Sequence, residues 1–113
     1  MISDEQLQAA LDWLREAATG AAKARAERLY LEEWVRALRA RIANECMTSG
    51  EDISAAKADI QARSSDAYRD ALLGLRAAIE KDELFRWRRS SADAVLSAWQ
   101  TMNANNRAMG KLQ

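Results

Sequence analysis

Leu31-Glu32-Glu33-Trp34-Val35-Arg36-Ala37-Leu38-Arg39-Ala40-Arg41-Ile42 decides the fold, because its apolar residues recur at alternating steps of four and three. Leu31, Val35, Leu38 and Ile42 fall on one narrow stripe of a helix. Traced backwards, the stripe continues through Arg28, Ala24, Ala21, Ala17, Leu14, Ala10 and Leu7, and only Arg28 breaks it. A helix cannot bury its own stripe, so this one must lie along a second helix. The composition agrees. The 113 residues contain no proline, four glycines and one phenylalanine, and much of the 49% hydrophobic content is alanine, the best helix former. The fold class expected is all-α: a long antiparallel helical hairpin of coiled-coil type that self-associates into a bundle.

The boundaries follow from local chemistry. Ser3 and Gln6 form a capping-box pattern, with Asp4 and Glu5 complementing the positive end of the helix dipole. Helix one is predicted over about 3–47, about 65 Å of helix, and continuous through Thr19-Gly20. Gly20, among Ala17, Ala18, Ala21, Ala22, Ala24 and Ala26, offers a small-residue face that a second helix can approach closely. The turn is placed at about 48–52, with Gly50 in the left-handed conformation and Ser49, Asp52 or Ser54 as the next cap.

Helix two is predicted over about 53–102, interrupted near residues 64–65 because Ser64-Ser65-Asp66 compete for backbone hydrogen bonds. Its inward residues are expected to be Ile53, Ala56 and Ile60, then Tyr68, Leu72, Leu75 and Ile79. The stripe then slips at Lys81-Asp82-Glu83 and resumes as Phe85, Ala92, Leu96 and Trp99. Asn103, Asn105, Asn106 and Gly110 predict a loose tail over 103–113. The whole chain, 1–113, is read as a single helical domain. A tight turn at Gly50 pairs residues whose numbers sum to about 100, setting Trp13 opposite Trp87, Leu14 opposite Arg86 and Leu7 near Asp93. Residues from Trp99 onward then overhang the start of helix one.

No catalytic residue, cofactor site or metal site is expected. The chain has no histidine, and its single cysteine, Cys46, has no imidazole to activate it. Glycine-rich phosphate loops, serine elbows and metal-type spacings are missing, and Glu32-Glu33 and Asp82-Glu83 are adjacent, so their carboxylates diverge around the helix. The protein is therefore read as not an enzyme. One cysteine rules out an intrachain disulfide and points to a reducing, cytoplasmic setting. No apolar run reaches membrane-spanning length and Met1–Glu5 lacks signal-peptide order, so no membrane partner is expected.

What remains are surfaces. Trp13 and Trp34 lie three heptads apart beside the stripe; with Trp87 and Trp99 they are the candidates for a partner interface, the alternative role being to seal the seam. The formal net charge is zero, yet residues 84–113 carry five basic and one acidic group while residues 51–83 carry five and eight. Arg86, Arg88, Arg89, Arg107 and Lys111 are thus the nucleic-acid candidates, with ion-paired surface helix as the plainer reading. Arg28 is either buried and paired, fixing register, or reaches solvent along its stem.

The stretch Ala98-Trp99-Gln100-Thr101 through Ala104-Asn105-Asn106-Arg107-Ala108-Met109, with Tyr68-Arg69 and Leu84 to Arg89 before it, resembles the ends of small helical proteins of uncharacterised function encoded by bacteriophages and prophages. Some of these lie near recombination genes. The resemblance covers about the last 45 residues and implies a phage accessory role in the host cytoplasm. Three functions are carried forward. The first is a non-enzymatic protein acting through helical protein–protein interaction or assembly, as a homo-oligomer or with a host or phage partner. The second is a nucleic-acid-associated module in phage recombination or replication. The third is an inhibitor of a host enzyme.

Overall fold

The computed structural model describes the backbone of residues 1–50 and 52–112, and side chains as far as residue 110. It is all-helical: α1 spans Asp4–Thr48, α2 Ala55–Arg63 and α3 Asp66–Leu112. Among the described residues, no helix is long and apolar enough to cross a membrane.

The caps are where the local chemistry puts them. The backbone N–H of Ser3 donates to Gln6 Oε1 at 2.9 Å, and that of Gln6 donates to Ser3 Oγ at 3.1 Å, a reciprocal capping box. Gly50 has φ of 98°, the left-handed value that ends α1 at little cost only for glycine. Ser54, rather than Ser49 or Asp52, caps α2, its Oγ accepting from the backbone N–H of Lys57. Ser64 and Ser65 interrupt the second arm. The Ser64 hydroxyl donates to the Ile60 carbonyl, and the Ser65 Oγ accepts from the Tyr68 N–H, so one serine closes α2 and the next opens α3.

α3 does not end near Met102 but continues to Leu112. Three asparagines and Gly110 each cost at most about 1 kcal/mol of helix propensity, and without a proline nothing compels a stop.

The chain divides into two compact units. Met1–Ala22 with Glu83–Gln113 form the first, and Lys23–Asp82 the second. Both pair their helices antiparallel. In the first, Trp13 and Gly20 both meet Phe85 while Ala10 shares a groove with Ala92. In the second, Arg28 reaches Asp82 while Arg39 reaches Asp59, so the partner's number falls as that of α1 rises.

The core is thin and made mostly of alanine. Ala10 and Ala92 are buried in the first unit, and Ala24, Val35, Leu38, Ala58, Ala62 and Ala78 in the second. On α2 the inward residues are Ala58 and Ala62, fully covered, while Ile60 is 56% exposed and Ala56 is exposed. Small side chains let this nine-residue helix approach α1 closely. Its rotation is set by Asp59, which accepts two 2.7 Å hydrogen bonds from the Arg39 guanidinium.

The stripe of α3 also differs from expectation. Tyr68, Ala71, Leu75, Ala78, Asp82, Phe85, Ala92, Leu96 and Trp99 are covered wholly or in part, whereas Leu72 is exposed. These positions keep the three–four alternation through Asp82. The seam therefore does not slip at residues 81–83; it carries one polar residue in register.

Candidate functional site

Asp82 is the most deeply buried charged residue among those described, with 2% of its surface exposed. Its Oδ2 accepts from Arg28 Nη1 at 3.1 Å, and Arg28 Nε donates to Glu32 Oε1 at 3.2 Å. The two residues that break the apolar ladders, one on each arm, are thus each other's partners. Arg28 is paired rather than extended to solvent. Burying the Asp82 carboxylate is tolerable because Arg28 neutralises it, so a sliding of the helices would strand that charge. This makes the pair a register lock.

At the far side of the second unit, Asp59 is held by Arg39 and by Arg63 Nε at 3.2 Å. The hydrogen bonds from Arg39, followed by the nearby positive charges, keep the Asp59 carboxyl below the ordinary aspartate range despite partial desolvation. Both ionic clusters consist of groups already satisfied by each other, which marks them as structural. Among the described residues, no three metal-ligating side chains converge.

The first unit has the more open geometry. Gly20 faces Phe85: a Cβ at residue 20 would stand 3.0 Å from Phe85 Cζ, so the ring occupies the space that a side chain would need. Phe85 also meets Trp13, ring centroids 6.5 Å apart and tilted by 36°. Beyond Trp13 a groove of about 350 Å³ opens, lined by Gln6, Ala9, Ala10 and Trp13 of α1 and by Arg88, Ser91, Ala92 and Val95 of α3. Its floor is small side chains, one wall is the Trp13 indole, and Arg88 stands at its mouth. Leu84 and Trp87, both exposed, lie within one helical turn of Arg88 on α3.

The four tryptophans are not brought together. Trp13 is half-buried and lines the groove; Trp87 is 73% exposed; Trp99 is half-buried; Trp34 belongs to the second unit and is 40% exposed beside Tyr30. Trp13 meets Phe85, not Trp87, and the partial burial of Trp99 corrects the expectation that it overhangs α1. The cause is axial register. The sums vary along the arms, from 98 for Arg39 with Asp59 and for Trp13 with Phe85 to 105 for Gly20 with Phe85 and 110 for Arg28 with Asp82, so no single turn position sets the pairing.

The basic candidates separate in the same way. Arg86 donates to Glu83 Oε1 at 2.9 Å, Arg88 lines the groove, and Arg89 and Arg107 are exposed. Arg88, Arg89 and Arg107 form no ion pair among the described residues. The side chain of Lys111 lies outside the described residues.

Sequence reasoning singled out Trp13 and Arg88 but placed neither beside the groove, and it passed over Gln6, Ser91 and Val95. Their common signal is the row Arg88, Ser91, Val95, a three–four spacing just beside the buried stripe of α3. No family model matches the chain, and neither a curated protein nor a solved structure matches it.

Proposed function

We propose that this chain is a non-enzymatic helical protein of the phage accessory type that acts by association, with copies of itself and through them with a protein partner. The observation that carries this reading is surface left over after folding. The buried apolar set contains no aromatic residue, while Tyr30, Trp34, Leu72, Leu73, Leu84 and Trp87 are all exposed. Large apolar side chains left outside an alanine core are what an interface would use. Sedimentation equilibrium of the full chain across the micromolar range should give a dimer or larger species. A monomer at every concentration overturns the reading.

A second reading, association with nucleic acid, is favoured by the uncommitted guanidinium groups of Arg88, Arg89 and Arg107. It expects binding to single- or double-stranded DNA that weakens steeply with salt and drops in the Arg88→Ala, Arg89→Ala variant. Absence of binding at low salt overturns it.

A further inference from the structure

We infer that the groove between α1 and α3 in the first unit is a two-fold contact between copies of this chain, with Trp13 as its anchor. The inference rests on the self-association proposed above and adds where it happens and what holds it. Its first support is charge. The α1 segment of this unit carries Asp4, Glu5, Asp12 and Glu16 against Arg15 alone, and the α3 segment as far as residue 110 carries Arg86, Arg88, Arg89 and Arg107 against Glu83 and Asp93. The ion pairs Arg15–Asp12 and Arg86–Glu83 each stay within one helix. Glu5, Glu16, Arg88 and Arg89 make none among the described residues.

A two-fold axis over the groove sets the acidic α1 of each copy against the basic α3 of the other, and each charge pair so formed occurs twice. The second support is shape. An alanine-floored groove with one half-buried indole on its wall accepts the equivalent Trp13 edge of another copy. Nucleic acid fits the same groove poorly, because Glu16, three residues beyond Trp13, adds negative charge on the wall from which Trp13 projects.

The test is sedimentation equilibrium on full-length variants whose helicity is verified by circular dichroism. Ala9→Arg and Ser91→Arg fill the groove from exposed helical positions, and each should raise the dimer dissociation constant by about tenfold or more. Ala37→Arg, at an exposed position of the second unit that is given no part in the interface, should leave it unchanged. Arg88→Glu and Glu16→Arg should each weaken the dimer, and their combination should recover most of the loss. Assembly that ignores the groove variants but is lost in Tyr30→Arg, in the second unit, overturns the groove while leaving self-association standing. A monomeric wild type overturns both. A charge-reversed pair no better than its single variants overturns the cross-copy matching.

Discussion

Replacing Arg28 and Asp82 by leucine, singly and together, tests the register lock most directly. The two single changes are not equivalent. In Arg28→Leu the Asp82 carboxylate remains with only 4% of its side chain exposed and its 3.1 Å partner gone. Breaking a buried pair from this side should cost about 3–4 kcal/mol. In Asp82→Leu the guanidinium keeps Glu32 at 3.2 Å and has 24% of its side chain exposed, so it can turn outward. That change should cost about 1–2 kcal/mol. In the double variant no charge is stranded and both ladders become apolar throughout, so stability should return to within about 1 kcal/mol of wild type or exceed it.

Thermal and urea unfolding followed by helical circular dichroism reads these values, at roughly 4 °C of midpoint per kcal/mol for a chain of this size. The proposed self-association is kept constant across the variants by working at one protein concentration. A double variant whose loss is the sum of the two single losses would show that Arg28 and Asp82 do not depend on each other, and equal single losses would show that their unequal burial does not set the cost; either result would refute the reasoning.

Gly20→Ala should be nearly neutral in the wild type, because a helix-propensity gain of about 1 kcal/mol is opposed by the 3.0 Å approach to Phe85. In a Phe85→Ala background the same change should stabilise by about 1 kcal/mol, which denaturant titration resolves. Asp59 titrates below its unfolded value in the folded chain, so its contribution is present above the ordinary aspartate range and is lost as pH falls through the lowered value. Acid unfolding should therefore begin later in the wild type than in Arg39→Gln, and Asp59→Asn should flatten that part of the pH profile. Ser54→Ala removes the α2 cap and should cost about 1 kcal/mol, read as faster amide exchange in α2 before α1 is affected. Trp87→Ala, at a 73% exposed position, should leave the unfolding free energy of the monomer within about 0.5 kcal/mol of wild type, as read by urea titration.

How much was legible in the sequence divides along a physical line. Interactions closed within four residues were readable: the Ser3–Gln6 box, the left-handed Gly50 and the serines that break the second arm are each fixed by neighbouring backbone groups. Interactions between arms were not. Arg28 and Asp82 were both visible as breaks in an apolar ladder, yet a register summing to 100 sets Arg28 against Leu72, ten residues from its partner. Around Trp13 the same register is off by only one or two residues, and the groove was missed because Arg88, Ser91 and Val95 lie beside the apolar stripe rather than on it.

The face of α2 was misread for a related reason. Periodicity favours the large Ile60, whereas close approach to α1 and the Arg39–Asp59 pair select the alanine face.

By itself, then, the sequence determined that the chain is all-helical, where its helices begin and break, and that its apolar stripe needs a helical partner, since these depend on local propensity and spacing. Only the tertiary structure decided which residues meet across the arms, that the two polar breaks cancel, and that Trp13 and Arg88 border one groove. Those outcomes depend on how the two arms of each unit fit along and around each other, and contacts distant in sequence set that fit, so no local pattern records it.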